Sequence, residues 1–392
     1  MPPKITKALV VLTSLVIALV ICEAGGWLLG IEYPNFYEDD PLVGNKLRPG
    51  LKGYFLQEGC GYVSINSDGL RDREHSLNHP PNTLRIAVLG DSYAEAMQVN
   101  QEETFWAIME RDLQRCSNIH GRNIEVINFG VSGFGTTQEL LTLQHQVWKY
   151  SPDVVLLAFT PGNDVSDNSR ALKKIDYLPY YVYQGDKLVL DDRPAREMWL
   201  ARQNNLWKKI HFDALLNFRV FQVINHTKDL FWQYWMLRNL EVRTDAAIPG
   251  HVWGINDMVY QEPTTKVWQE AWRVTEGVLL HMRDEVVQKG AQFFVVTLTE
   301  GIQVDPDVSK RVALAKSLGV GDLFYTERRL GSFCKSHHIP ILLLGPPFQD
   351  YATQHKVYLH GFEKTLGLGH WNQEGHRLAG QMIAQWLCQQ LH

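Results

Sequence analysis

The segment Arg85-Ile-Ala-Val-Leu-Gly-Asp-Ser-Tyr93 decides how the rest of the chain is interpreted. Its uninterrupted apolar run is typical of a strand buried on both faces, as in parallel sheets. The run stops at a glycine followed by an acid and a hydroxyl, and open α/β sheets bind ligands at such strand ends. Ser92 is therefore a candidate catalytic residue, although a serine that only caps the next helix has the same local pattern.

Further strands follow, separated by helical patterns. Ile124-Glu-Val-Ile127 ends in a glycine-rich loop that contains Gly133, and residues 153–159 end in Pro161-Gly-Asn-Asp164. Strands alternating with helices predict parallel strands joined by right-handed crossovers, so these loops should share one edge of the sheet. Residues 293–297 and 339–344 bring the expected number of strands to about five. The predicted fold class is α/β.

Composition excludes several classes of protein. The 392 residues, 45% hydrophobic and 21% charged, suffice for one large domain or two modest ones. A net charge of -5 without long basic runs predicts no binding of nucleic acid. The five cysteines are widely scattered and show no zinc, haem or disulfide spacing, which predicts mostly buried free thiols.

The N-terminus predicts a membrane anchor. Lys4 and Lys7 precede an apolar stretch from Ala8 to Ile31 that is long enough to span a bilayer. The basic residues orient the start toward the cytoplasm and the rest of the chain outward. A cleaved signal peptide is the alternative, although no clear cleavage site follows. Glu23 lies near one end of this span, where it can reach the interface.

An aromatic-rich insertion is expected at about residues 176–262. It begins with a predicted hairpin about Gly185-Asp186 and continues with helical patterns dense in tryptophan. These tryptophans either line a groove for an acyl group or sugar, or only pack the insertion onto the core. They are Trp199, Trp207, Trp232, Trp235 and Trp253.

A catalytic serine needs a base and donors for the oxyanion that forms on the attacked carbonyl. His370, in a loop before the last helix, is the preferred base, and His376 is expected inside that helix in a structural role. Besides the backbone N–H of Ser92, the backbone of Gly133 and the amide of Asn163 are the expected donors. Each of these candidate residues also has a purely structural interpretation, as a residue of a turn or of a helix cap.

Together these motifs resemble the four blocks of the SGNH/GDSL hydrolase family, in the same order. The blocks are Gly90-Asp-Ser92, Gly133 after Asn128, Gly162-Asn-Asp164 and His370-Trp-Asn372. The resemblance covers roughly residues 84–169 and 263–391. It implies a flavodoxin-like three-layer sandwich, Ser92 as nucleophile and oxyanion donor, Gly133 and Asn163 as the other donors, and His370 as base.

The chain is expected to have three parts. The apolar stretch predicts an anchor at residues 1–31, the segment rich in Pro, Gly and Asn predicts an extended lead-in at 32–83, and the hydrolase-like domain with its insertion is expected at 84–392. The anchor and lead-in resemble those of membrane-attached bacterial members of the family.

One departure from the family pattern bears on mechanism. The family usually carries an Asp two or three residues before the histidine, where this chain has Gly367 and Leu368. Either a Ser-His dyad operates, with His370 oriented by a backbone carbonyl or by a remote acid such as Glu363 or Asp350, or the protein is inactive. We favour the dyad, because nucleophile, base and all three donors are present.

The expected function is a serine esterase that hydrolyses O-acyl, acetyl-type esters of a carbohydrate or lipid. The reaction needs no metal or cofactor. We expect a single-pass protein of the cell membrane with its catalytic domain outside the cytoplasm. The alternatives are an O-acyltransferase of envelope polysaccharide and a non-catalytic carbohydrate-binding relative.

Overall fold

The computed structural model describes residues 3–119, 121–244 and 255–391. The strands are β1 (Tyr37–Asp40), β2 (Gly44–Leu47), β3 (Lys52–Phe55), β4 (Gly61–Ser64), β5 (Thr83–Gly90), β6 (Asn123–Asn128), β7 (Val154–Phe159), β8 (Tyr180–Gln184), β9 (Lys187–Asp191), β10 (Gln292–Thr297) and β11 (Ile341–Leu343). The helices are α1 (Pro3–Leu28), α2 (Ser92–Glu95), α3 (Phe105–Leu113), α4 (Thr136–His145), α5 (Asp164–Asp167), α6 (Arg170–Lys173), α7 (Arg193–Gln203), α8 (Leu206–Asn217), α9 (Arg219–Thr244), α10 (Lys266–Gln288), α11 (Val308–Leu318), α12 (Tyr325–Ser336), α13 (Gly345–His355) and α14 (Gln373–Gln390).

The central sheet has five parallel strands in the order β11-β10-β7-β5-β6. This is the strand order of the flavodoxin-like doubly wound fold, whose ligands bind at the carboxyl ends of the strands. The predicted α/β fold with about five parallel strands is therefore confirmed. All eight residues of β5 are buried, as its continuous apolar run predicted.

Helices cover both faces of the sheet. Ala87 and Leu89 of β5 belong to one apolar cluster, which includes residues of α4 and α10. Ile86 and Val88 belong to a second cluster, which includes residues of α3 and α14. Successive side chains of a strand point to opposite faces, so the sheet is the middle layer of three.

Close packing brings the carboxyl ends of β5 and β6 together. A side chain at Gly130, after β6, would overlap Ala94 and the backbone of α2, and one at Gly90 would crowd Ala94 and Ala158. Glycine is needed at both positions because the loop after β6 lies against the helix that begins at Ser92.

The segment before the sheet forms two antiparallel hairpins, β1–β2 and β3–β4. They enclose a small apolar cluster that includes Leu47, Val63 and Met97, and Met97 lies just after α2. The lead-in thus packs against the same part of the molecule as Ser92. The hairpin β8–β9 turns at Gly185-Asp186, where the sequence predicted it, and α7 to α9 follow. Trp253 lies outside the described residues.

The cysteine prediction was wrong. Cys116, shortly after α3, forms a disulfide with Cys388 near the end of α14, and Cys22 and Cys60 are exposed. Only Cys334 fits the predicted buried thiol. The disulfide partners are 272 residues apart and meet because α3 packs against α14, a contact that cysteine spacing does not reveal.

Helix α1 contains a 24-residue segment, Ile5–Leu28, with a mean hydropathy of 2.5. Its most apolar part has none of its residues buried inside the protein. Its length and composition suit either a membrane span or a signal sequence.

Candidate active site

Ser92 is the first residue of α2, directly after β5. Asp91, fully buried, caps this helix: its Oδ1 accepts the N–H of Tyr93 at 2.9 Å. Its Oδ2 accepts Nδ2 of Asn163 at 3.0 Å, so one carboxylate fixes the serine turn and the amide from the neighbouring strand end. Ser92 itself is half-buried, with its hydroxyl held toward His370.

His370 lies within hydrogen-bond distance of Ser92. The distance from His370 Nε2 to Ser92 Oγ is 2.7 Å, so the neutral imidazole can accept the hydroxyl proton. The two residues that follow His370 and the ring of Tyr93 hold the imidazole in position. The next residue, Trp371, is fully buried and donates its Nε1–H to Thr299, and Asn372 caps α14. The ring of Tyr93 packs 4.9 Å from the imidazole.

The other nitrogen of His370 binds Glu58. The distance from Nδ1 to Glu58 Oε2 is 2.5 Å, and Glu58 Oε1 accepts the backbone N–H of His370 at 2.7 Å. A remote acid therefore orients the imidazole, which was one of the two expected alternatives, but the acid is Glu58 and not the suggested Glu363 or Asp350. Glu58 comes from the loop between β3 and β4 in the lead-in.

Gly369 makes room for this acid. Its φ of +74° lies in the left-handed region, and a Cβ there would overlap the Glu58 carboxylate. The glycine before the histidine thus lets a carboxylate approach from a distant segment, instead of from the two or three preceding positions.

The electrostatics follow from this pairing. Burial by itself lowers the pKa of His370, but the hydrogen bond and charge of Glu58, with added charge from Asp91, outweigh burial and raise it above 6.5. Burial raises the pKa of Glu58, but the hydrogen bond and charge of His370 bring it below 4.5. Glu58 is therefore a carboxylate at neutral pH, available to stabilise an imidazolium.

The expected oxyanion donors lie at the neighbouring strand ends. Asn163 follows β7 and uses one amide N–H for Asp91; an amide has two such donors. Gly133 lies in the loop after β6 with φ +79°, and a Cβ there would meet no atom within 4 Å. Glycine is favoured here by its backbone conformation rather than by crowding.

A buried acid adjoins this edge of the site. Glu300 lies against Gly162, where a side chain would overlap its carboxyl group. Burial, and then the charge of Asp91, raise the pKa of Glu300 to about 8. Glu300 is therefore mostly protonated at neutral pH, and Glu58 is the carboxylate that pairs with His370.

Two further histidines near the site are held neutral. Burial lowers the pKa of His360 to about 4, and its Nδ1 bonds the carbonyl of Gly369 at 2.8 Å. Burial also lowers the pKa of His376 to about 3, and it accepts the N–H of Phe105 from inside α14. His376 packs the core, as its position in the sequence predicted.

His370 and Glu58 open onto a cleft of about 2300 Å³. Most of its walls come from the lead-in, the loop before His370, and the middle of α9, which contributes Asp229, Leu230 and Trp232. Gly133 also lines the cleft. Of the tryptophans of the predicted insertion that the structure describes, Trp232 lines this cleft.

Sequence reasoning missed Glu58. The residue stands in Gln57-Glu-Gly-Cys-Gly61, within a stretch that has no helical or strand periodicity and matches none of the four blocks. The only available signal was indirect: the absence of an acid at positions 367 and 368.

Comparisons with known proteins add the following. No family model matches the chain, and no curated protein matches it in sequence. Its solved structural neighbours include SGNH/GDSL-type hydrolases. A lipolytic protein of the G-D-S-L family from Desulfitobacterium hafniense is 12% identical, with a TM-score of 0.35, and covers 77% of this chain and 98% of its own.

Two more neighbours are similar to this chain at the same level. A lipase/acylhydrolase from Enterococcus faecalis is 14% identical, with a TM-score of 0.36, and covers 79% of this chain and 97% of its own. A catalytic mutant of an acetylxylan esterase from Geobacillus stearothermophilus is 11% identical, with a TM-score of 0.36, and covers 79% of this chain and 95% of its own. Likenesses this distant carry no argument about activity, which rests on the geometry of the site.

Proposed function

We propose that this protein is a serine esterase that hydrolyses O-acyl, acetyl-type esters of a carbohydrate or lipid. The observation that carries the proposal is the chain of hydrogen bonds from Glu58 through His370 to Ser92. A nucleophile, a base that binds it, and an acid that binds the base on its other nitrogen are the three parts of a hydrolytic triad.

The chemistry follows from these contacts. Ser92 Oγ attacks the acyl carbonyl while His370 Nε2 accepts its proton, and Glu58 stabilises the imidazolium that forms. The N–H groups of Ser92, Gly133 and Asn163 bind the oxyanion. The intermediate expels the alcohol, which takes the proton from His370, and leaves an acyl group on Ser92. Water then attacks that ester with His370 again as base, which releases the carboxylic acid and restores the serine.

We assign the catalytic domain to the outside of the cell membrane. A disulfide between Cys116 and Cys388 fits an oxidising compartment. Lys4 and Lys7 lie in the first two turns of α1, which favours an anchor whose C-terminal end faces outward. Glu23 of α1 accepts the N–H groups of Arg219 and Val220 at 2.9 and 3.1 Å. Cleaving α1 away would remove this cap from α9, which favours a retained anchor over a signal peptide.

Hydrolysis of short acyl p-nitrophenyl esters by the purified full chain tests the proposal. Ser92→Ala should reduce the rate to the uncatalysed level, and Ser332→Ala, an exposed serine on α12, should leave it unchanged. Equal activity of Ser92→Ala and wild type would exclude Ser92 as the nucleophile.

A related activity is transfer of the acyl group to an acceptor sugar of an envelope polysaccharide. The volume of the cleft, about 2300 Å³, favours an acceptor larger than water. Product analysis with a polysaccharide present separates the two: free carboxylic acid marks hydrolysis, and acylated polysaccharide marks transfer. The non-catalytic alternative drew on the missing acid before His370 and on the aromatic insertion, and the contact of Glu58 with His370 removes the first of these two grounds.

A further inference from the structure

Helices α8 and α9 meet at a corner at Phe218, and this pair of helices, called the hairpin below, exposes several large apolar side chains. Those beside the corner, called the hairpin surface below, are Phe218, Phe221 and Ile224. Phe218 is 50% exposed and Ile224 is 60% exposed. Exposed apolar side chains grouped in this way mark a site of contact with another protein or a membrane.

The hairpin surface lies beside α1. Glu23 caps the N-terminus of α9, and a side chain at Gly26 would crowd Arg219, so the two helices touch closely at the start of α9. The guanidinium of Arg219 lies over the ring of Trp27 at 5.3 Å. These contacts place the corner between α8 and α9 against the last turns of the apolar span.

The depth of this corner follows from helix geometry. Glu23 precedes the end of α1 by five residues, which is roughly 7 Å along a helix. The first residue of α9 is therefore level with the outer part of the span, not beyond it. Any apolar medium that surrounds α1 there also reaches Phe218 and Phe221.

Helix α9 then runs outward. Gln222 Oε1 accepts the backbone N–H of Tyr33, and His226 stacks on the Tyr33 ring with centroids 4.3 Å apart. Because Tyr33 follows α1, these contacts place α9 alongside the chain that leaves the C-terminal end of α1, and the two run in the same direction. One to two turns further on, Asp229, Leu230 and Trp232 line the cleft that contains His370.

We propose that the α8–α9 hairpin is a second membrane-binding element, with the hairpin surface immersed in the interface of a phospholipid bilayer. Exposed aromatic rings at the corner, such as those of Phe218 and Phe221, suit this depth. Since one helix touches the bilayer at its start and lines the cleft further along, the hairpin fixes the height and tilt of the cleft above the membrane. A flexible tether through α1 alone would leave both free.

Spin-label accessibility in phospholipid vesicles tests the proposal. The full-length protein carries Cys22→Ser and Cys60→Ser, keeps the Cys116–Cys388 disulfide, and receives one new cysteine at a time. Phe221→Cys and Ile224→Cys report the hairpin surface, and Leu19→Cys reports the span. The matched control is Val287→Cys, an apolar residue that is 62% exposed near the end of α10, at the opposite edge of the sheet from the site.

We expect labels at 221 and 224 to collide with oxygen several-fold more than with a water-soluble nickel chelate, as the label at 19 does, whereas position 287 shows the reverse. Ratios at 221 and 224 equal to that at 287 would overturn the proposal. Shielding of 221 and 224 from both reagents would also overturn it, in favour of a protein partner. A water-exposed label at position 19 would instead contradict the span. None of these readings depends on esterase activity.

Discussion

Glu58 Oε2 lies 2.5 Å from His370 Nδ1, although 312 residues separate the two in the sequence. The acid therefore comes from the β3–β4 hairpin, which precedes the central sheet in the sequence. The histidine follows the central sheet, shortly before α14. If the triad operates as proposed, the lead-in is part of the catalytic machinery and not only a connection to the anchor.

Removing the charge of Glu58 should lower the rate of ester hydrolysis. In Glu58→Gln the amide cannot stabilise the imidazolium, and we expect kcat to fall by up to about 10⁴-fold. Steady-state kinetics on a p-nitrophenyl ester measure this. The matched controls are Glu363→Gln and Asp350→Asn, the two acids that the sequence suggested, and both should retain wild-type kcat. A Glu58→Gln enzyme of normal kcat would exclude the acid from the mechanism.

The pH dependence of kcat/KM should report His370. The base must be neutral to accept a proton, and Glu58 raises its pKa above 6.5, so activity should rise with pH along a limb whose midpoint lies above that value. In Glu58→Gln the effect of burial, which lowers the pKa, remains while the carboxylate is gone. The midpoint should then move to lower pH. An unshifted midpoint would show that Glu58 does not set the pKa of His370.

Loss of an oxyanion donor should reduce kcat without a comparable change in KM. We expect Asn163→Ala to lower kcat by about 10²–10³-fold, because the amide binds charge that exists only in the transition state. Circular dichroism and thermal unfolding of the variant check that it keeps the overall fold when Asp91 loses this partner. A rise in KM with unchanged kcat would assign Asn163 to substrate binding instead.

Gly369→Ala should act through Glu58. The added methyl group would overlap the Glu58 carboxylate. Alanine would also have to adopt the left-handed backbone conformation of residue 369, which a side chain disfavours. We expect a loss of kcat close to that of Glu58→Gln, and a double variant little worse than either single one. Additive losses in this double-mutant cycle would mean that Gly369 acts independently of Glu58.

The disulfide between Cys116 and Cys388 should stabilise the domain. Breaking it with Cys116→Ser/Cys388→Ser removes a cross-link that closes most of the chain, and we expect a loss of about 2–5 kcal/mol in the free energy of unfolding. Thermal unfolding with and without reductant measures this, and Cys334→Ala controls for loss of a buried thiol. A reductant-independent Tm in the wild type would show that the bond does not form.

The central sheet could be predicted from the sequence because its strands are buried on both faces. The eight residues of β5 and the six of β7 are all buried, so their apolar runs are continuous and easily recognised. The same logic places Ser92 and Asn163 at the carboxyl ends of adjacent strands. His370 could be suggested by its motif and its loop, and the structure brings it to Ser92.

Glu58 and the disulfide could not be predicted in the same way. Both depend on contacts between segments far apart in the sequence. Glu58 and Cys116 lie in loops without hydrophobic periodicity, and the periodicity of α14, which contains Cys388, does not reveal which segment packs against it. Glu58 follows β3, a strand of four residues. Its pairing with His370 becomes apparent only when β3 and β4 pack beside the loop that precedes α14. Cys116 and Cys388 are paired by the packing of α3 on α14, which apolar spacing predicts as two helices but not as neighbours.

Covalent labelling with a fluorophosphonate, followed by peptide mass spectrometry, tests the central claim most directly. The account predicts one adduct, on Ser92 of the wild-type protein, with no adduct in Ser92→Ala and slower labelling in Glu58→Gln. Labelling of another residue, or labelling that persists unchanged in Ser92→Ala, would contradict it.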